Sequence, residues 1–309
     1  MFDVGKLRDR LKKVWPSLFE ADKPSRCIYH YTSYDVYEKI VSANALYSTH
    51  FLDLNDVKEF DIGFDYALGY LERRFGKELG WEHVRSSLLT LKAELRKTGK
   101  LCLSCPWITS FTDAEDSIHH WMAYTDRNEG GVAIGFDEAG LSEFVSAFNG
   151  RKCASRTGLF SGVVSFLCPC FYCESVEKAD PRLDSILDIL FEDKAVDCSA
   201  DDSAERIYFA LVLFASFTKH STFAWEREWR LVTMNCGGVW SDDVVRIVGG
   251  KLRVAFGLED PIPIKGLIRS LLASPHGSAR NYRHLIGRGV CNGVKAKIRR
   301  SHLPYCGGQ

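Results

Sequence analysis

Trp107-Ile-Thr-Ser-Phe-Thr112, then Ser117-Ile-His-His-Trp-Met-Ala-Tyr-Thr125, then Gly131-Val-Ala-Ile-Gly-Phe136 is the stretch that sets the fold class. The first piece ends the apolar run Cys102 to Phe111, a strand interrupted by Pro106 that opens into a turn. Ser117 to Thr125 reads as a short aromatic helix, and Gly131 to Phe136 as an apolar strand. Strand and helix alternate tightly, with elements too short for a regular doubly wound repeat.

Working toward the N-terminus, Cys27-Ile-Tyr-His-Tyr-Thr32 alternates as a strand does. Tyr34 to Ser42 follows as a helix, with Ser33 or Asp35 near its start as a cap. Ala45 to Thr49 is a second strand. After Asn55-Asp56 come a helix over Val57 to Arg74 and a charged helix over Trp81 to Lys97. Toward the C-terminus the pattern gives helices at Leu141 to Phe148, Arg182 to Leu190, Arg206 to Phe217 and Ser278 to Ile286. It gives strands at Gly162 to Tyr172, Trp225 to Met234, Val244 to Ile247, Leu252 to Phe256, Ile264 to Leu272 and Lys295 to Ser301. Glu192 to Ser203 is an acidic loop. No internal repeat is visible, and no GxGxxG or GxxxxGK follows a strand, so the ordinary phosphate cradles are absent. The expectation is an α+β fold with a mixed or antiparallel sheet core and surrounding helices. Residues 1–26 form an amphipathic leader that stops near Pro16. Residues 27–309 form one domain, with a helical insertion near 74–100 and a variable segment near 173–205.

The 309 residues are 46% hydrophobic and 26% charged, an ordinary globular balance. Lys plus Arg and Asp plus Glu both number 40, which gives no general electrostatic reason for nucleic-acid binding. The N-terminus lacks the apolar core of a secretion signal, and the apolar runs fall short of the roughly 20 residues that span a bilayer. A cytoplasmic protein without membrane contact is expected. The 11 cysteines are odd in number and scattered, which fits reduced thiols. Cys102-x-x-Cys105 and Cys168-x-Cys170-x-x-Cys173 lack the flanks of a zinc ribbon or finger, so no metal site is assigned.

Three constellations could carry chemistry. In the first strand His30 and Thr32 share one face and Tyr29 and Tyr31 the other, so an imidazole and a hydroxyl could meet a ligand's ribose or amide. A hydrogen-bonded core histidine is the plainer reading. Thr109, Ser110 and Thr112 could fix a ligand or simply cap the next helix. Adjacent His119 and His120 cannot both face one ligand from a helix. The third constellation is Trp225-Glu-Arg-Glu-Trp-Arg230. Read as a strand, it puts Glu226, Glu228 and Arg230 on one face and Trp225, Arg227 and Trp229 on the other. Two carboxylates on one face need a compensating partner. Arg230 could supply it in a surface ion pair, or the carboxylates could accept ribose hydroxyls and stabilise positive charge on a sugar. The basic Lys295 to His302 reads as a solvated edge strand.

Tyr29-His30-Tyr31-Thr32-Ser33, Phe51-Leu-Asp-Leu-Asn55-Asp56 with Glu59-Phe60, Cys102-Leu-Ser-Cys105, Trp121-Met-Ala-Tyr124, Gly131 to Asp137 and Trp225-Glu-x-Glu-Trp-Arg230 together resemble a bacterial domain family of unknown function, DUF2971, over residues 27 to 302. Val57 stands where the family often has Pro, and Pro106-Trp107 where it often has Phe-Ser. That family in turn is remotely similar to ADP-ribosyltransferases. The resemblance implies NAD as substrate, Glu228 as catalytic carboxylate and Glu226 as the upstream carboxylate that orients an acceptor. It places His30 on the adenosine ribose or nicotinamide side, and Tyr47 or Thr109-Ser110 against nicotinamide, with Thr32 and Arg230 in the same binding region. The acceptor would be a protein, a nucleic acid or water. The alternative is a non-catalytic nucleotide- or protein-binding module in a bacterial defence or toxin-linked system.

Overall fold

The computed structural model describes residues 26–54, 58–78, 80–97, 105–126, 128–152, 163–174, 200–235, 245–248, 251–256, 263–276 and 278–304, with 184, 187 and 188. The expected leader helix, Asn55-Asp56, Cys102 and most of the variable segment near 173–205 lie outside them.

The chain runs β1 (Cys27–Thr32), α1 (Tyr34–Ala43), β2 (Leu46–His50), α2 (Lys58–Phe75), α3 (Trp81–Lys97), β3 (Trp107–Thr112), α4 (Ile118–Tyr124), β4 (Val132–Asp137) and α5 (Glu138–Lys152). It continues with β5 (Val163–Pro169), β6 (Phe171–Cys173), α6 (Ala200–Phe217), β7 (Thr218–His220), β8 (Glu228–Asn235), β9 (Val245–Val248), β10 (Lys251–Phe256), β11 (Ile268–Ala273), α7 (Ala279–Cys291) and β12 (Lys297–Arg300). Ten strands form one mixed sheet, ordered β12-β11-β4-β1-β3-β2-β10-β9, with β8 beside β3 and β5 beside β8. All pairings in it are antiparallel except β11 with β12. β6 and β7 pair in parallel as a separate ribbon. The α+β class with a mixed sheet core and surrounding helices is therefore observed.

Helices cover both faces. Phe60, Phe64 and Leu71 of α2 and Leu211 and Phe214 of α6 bury against Ile108, Val232 and Met234. Tyr37, Ile40 and Val41 of α1, Phe144 of α5 and Leu285 of α7 bury against Trp107, Phe111, Trp229 and Leu231. The alternation along β3 and β8 divides these sets between the faces. Ser33 caps α1, accepting from Val36 N–H at 3.4 Å. No helix among the described residues is long and apolar enough to cross a membrane.

Two elements depart from the sequence reading, and the first of them shapes the site. The strand expected from Trp225 begins only at Glu228. Ser221–Glu226 is a 3-10 helix, and Arg227 turns the chain through the left-handed region at φ 48°. Ile264–Leu267 is likewise a 3-10 turn, with the strand starting at Ile268. The sheet also splits. β3 pairs with β8 along its whole length, but on its other side it meets β2 only at Trp107 and Ile108 and β1 only at Thr112. The edge of β3 between those contacts opens onto a cleft.

Candidate functional site

His30 stands in the split. Its Nδ1 lies 2.9 Å from the Ser110 carbonyl, a position the ladder would fill if β1 ran on beside β3. Its ring lies 5.8 Å from that of Phe111. Tyr31, on the opposite face of β1, donates to the carbonyls of Ala114 and Glu115 and accepts from Ser117 N–H, which fixes the turn into α4. Trp121 of α4 packs edge-on against Tyr31, so α4 is pinned over the opening. The resulting cleft is half open, with about 360 Å³ of empty space that includes open solvent, and is lined by Tyr29, His30, Tyr31, Ser110, Phe111 and Thr112, with His120, Tyr124, Glu226 and Glu228 at its far side.

The floor is a buried charge cluster. Lys219 Nζ reaches Glu59 Oε1 at 3.1 Å and Glu228 Oε2 at 2.8 Å, and it also pairs with Glu226. Arg230 donates from Nε to Glu228 Oε1 at 2.9 Å, from Nη2 to Glu59 Oε2 at 2.6 Å and from Nη1 to the Ser216 carbonyl at 2.9 Å. All five side chains are buried. Among the described residues three carboxylates thus share two cations.

Local sequence explains how they converge. Glu228 and Arg230 sit two apart on β8 and share a face. Glu59 is brought in because Gly63, one turn later on α2, has no Cβ: one built there would stand 2.7 Å from Thr218 Cβ and 2.8 Å from the Ala215 Cα, so α2 can lie directly on the α6–β7 junction. Glu226 arrives from the 3-10 turn, whose carbonyl at Glu226 accepts from Thr112 Oγ1 at 2.7 Å. Arg227, strained by roughly 1–2 kcal/mol in its left-handed conformation, is held by its ion pair with Asp113.

The two cleft glutamates differ electrostatically. Burial would raise the Glu228 carboxyl, but Arg230 and then Lys219 outweigh it and hold it at about 2. Burial raises Glu226 above the usual carboxylate range, and its hydrogen bond with Lys219 offsets this only in part. Lys219 itself is raised: burial opposes its charge, and Glu228 and Glu59 overcome that. On the cleft wall burial holds His120 down to about 4, against a bond to the Glu226 backbone, while burial, then Glu226 and Glu228, push Tyr124 up to about 12.

Of the residues singled out in sequence, His30, Ser110, Glu226 and Glu228 meet at the cleft, and Arg230 stands behind Glu228. Three do not line it. Thr109 points to the other face of β3 and shares a hydrogen bond with Ser48 at 2.7 Å. Tyr47 lies on β2 opposite Ala255 and packs into the second core. Thr32 ends β1 opposite Val132 and is buried. The surface ion pair considered for Glu226, Glu228 and Arg230 is instead a buried network. Lys219, Glu59, His120 and Tyr124 went unread as site residues, although a lysine two residues past the apolar run ending at Phe217 was a visible signal of a buried charge. Among the described residues no group of His, Cys, Asp and Glu side chains is arranged to hold a metal ion. Lys219 Nζ occupies the point where the three carboxylates meet.

Residues 120–231 match the profile of a family described as a protein of unknown function (DUF2971). The match is narrower than the 27 to 302 span read from sequence, and it runs from His120 to Leu231, so it holds Lys219, Glu226, Glu228 and Arg230 but not His30 or Glu59. Searches of curated proteins and of solved structures returned no match.

Proposed function

We propose that the cleft binds NAD and breaks the bond between its ribose C1′ and the nicotinamide nitrogen, passing the ribosyl group to water or to a macromolecular acceptor. The observation that carries this reading is the surplus carboxylate: three acids against two bases on the floor of an aromatic-walled cleft. Both the cationic pyridinium of NAD and the oxocarbenium-like ribose that forms as it leaves would supply the missing positive charge. Two neighbouring carboxyls with oppositely shifted pKa values also suit a division of labour. Glu228, held ionised, faces the developing charge. Glu226, the stronger base, takes the proton of the attacking O–H or N–H as its oxygen or nitrogen bonds to C1′. The electron pair of the broken bond returns to the pyridine nitrogen, and neutral nicotinamide leaves. His30, at the split, contacts the ribose or the nicotinamide side, and Ser110 contributes its backbone there.

A second reading rests on a specific feature: both oxygens of Glu228 already accept from Arg230 or Lys219. A carboxylate so engaged suits a module that binds a nucleotide without consuming it. The deciding measurement is nicotinamide released from NAD, together with calorimetric NAD binding, for wild type, Glu226→Gln and Glu228→Gln. Catalysis predicts release that falls roughly a hundredfold or more in each variant, far more than any weakening of NAD binding. Binding without release in wild type would establish the second reading, and neither binding nor release would remove both.

A further inference from the structure

His120 lines the cleft, and the reaction proposed above leaves its chemistry unused. It lies on α4, is 4% exposed and faces the cleft, between Tyr31, whose ring centroid is 5.0 Å away, and Trp225, at 5.8 Å. One ring nitrogen bonds the backbone of Glu226, and Nδ1 has no partner. A carbonyl only accepts, so the nitrogen facing it, Nε2, carries the ring proton. With its pKa at about 4 the imidazole is neutral at pH 7. Nδ1 is then an unprotonated lone pair, buried in a side chain that lines the cleft. A buried polar atom without a partner is destabilising unless something occupies it.

The surroundings specify what would. A carboxylate-bearing ligand is disfavoured by the surplus negative charge of Glu59, Glu226 and Glu228 and by the lone pair itself. A ligand offering only acceptors would set lone pair against lone pair. The walls carry planar rings, Tyr31, Phe111 and Tyr124 among them, and beside His120 the half-exposed Trp225 lies tilted against His119 at 4.9 Å. Rings of this kind take flat heteroaromatic groups.

We propose that His120 is a recognition residue, whose Nδ1 accepts a hydrogen bond from an uncharged N–H donor on a flat heteroaromatic ring bound in the cleft. The donor requirement stands on His120 alone; the choice of a pyridine carboxamide as the ring rests on the NAD reading above. His120 acts as an acceptor that orients the ring rather than as a base, since an imidazole so reluctant to take a proton is poorly matched to proton transfer at neutral pH.

Nicotinamide and nicotinate differ only in presenting a carboxamide or a carboxylate, so they are the probes. The primary variant is His120→Gln, whose side-chain amide reaches the Nε2 position and keeps the bond to the Glu226 carbonyl while deleting the acceptor at Nδ1. His120→Asn places an amide oxygen near Nδ1 and serves as the rescue. Melting temperature and circular dichroism establish that each variant folds. The expected results are a shift of the His120 Nδ1 nitrogen resonance on adding nicotinamide, roughly tenfold weaker binding of nicotinamide to His120→Gln, partial recovery in His120→Asn, and at least tenfold weaker binding of nicotinate to wild type. A purely structural His120 would leave nicotinamide affinity unchanged in a folded His120→Gln protein. That result, equal affinity for the two probes, or an unmoved Nδ1 resonance with nicotinamide bound would each overturn the proposal. If no nicotinamide binds, the same titration with adenosine, which carries an exocyclic amine, is decisive: a shifted Nδ1 keeps the donor requirement and removes the pyridine, and no shift removes both. Nicotinamide binding through His120 without NAD cleavage would leave this inference standing and remove the catalytic one.

Discussion

Lys219→Met is the sharpest perturbation of the cluster. Methionine keeps much of the stem's volume but deletes the ammonium on which Glu59, Glu226 and Glu228 converge. Arg230 still pairs with Glu59 and Glu228, whereas Glu226 loses the ion pair that opposes its burial. Breaking a buried pair by removing one partner costs about 3–5 kcal/mol, a large part of the roughly 5–15 kcal/mol of a native domain. Much of that is the penalty of an ionised, unpaired Glu226, so it should shrink where Glu226 takes up a proton. Urea unfolding at pH 7 and pH 5 is the assay. We expect a loss near the top of that range at pH 7, a smaller one at pH 5, and partial recovery at pH 7 in Lys219→Met/Glu226→Gln. A loss under about 1 kcal/mol at pH 7, or one of equal size at both pH values, would refute the reasoning that Lys219 holds this cluster together by charge.

The wild-type pH profile should be two-phased. Glu226 is raised in the fold, so protonating it between its raised value and the ordinary 4.5 adds stability as pH falls. Glu228 is depressed to about 2, so its contribution, on the order of 3 kcal/mol, is intact above 4.5 and drains away as pH falls toward 2; a monotonic decline from pH 7 in urea midpoints would contradict this. Gly135→Ala should cost about 1–3 kcal/mol, because the added Cβ stands 2.8 Å from Tyr29 Cε1 and meets Ser270 Oγ. Thermal melting near the wild-type value would show that β1 and β11 can part at no cost.

Most of the sheet was legible because its strands either alternate, as Cys27–Thr32 does, or run continuously apolar, as in Val132–Asp137, both found where their pattern puts them. The helices whose apolar residues recur at helical spacing were equally legible, α1 with its buried Ile40 and Val41 among them, although Val36, read on the same stripe, is exposed and Tyr37 is buried in its place. Trp225 to Arg227 misled because Glu-Arg-Glu continues the two-residue period of β8 backward. What breaks that period is tertiary: Thr112 Oγ1 bonded to the Glu226 carbonyl and Asp113 paired with Arg227, both from the far end of β3. The shared face of Glu228 and Arg230 was readable, since it needs only the alternation. Their burial was not, because it depends on α2 closing over them, and that depends on a glycine at 63 meeting Ala215 and Thr218, more than 150 positions away.

The opposite shifts of the two glutamates separate what each does for the fold from what each could do for a ligand. A carboxyl depressed in the folded state stabilises it at neutral pH, and one that is raised destabilises it. Glu228→Gln should therefore cost stability at pH 7, because it discards a charge bonded to Arg230 and Lys219 and leaves both cations short of an acceptor. Glu226→Gln should be neutral or stabilising at pH 7, since the amide oxygen can still accept from Lys219 and the surplus charge is gone. Natural sequences retain locally unfavourable groups mainly where function needs them. A Glu226→Gln protein that unfolds at higher urea than wild type, yet binds a cationic pyridinium such as that of NAD more weakly, would identify Glu226 as the residue kept for the ligand. If both substitutions destabilised the protein equally, the two carboxylates would be equivalent struts, and the surplus charge would no longer argue for a cationic ligand.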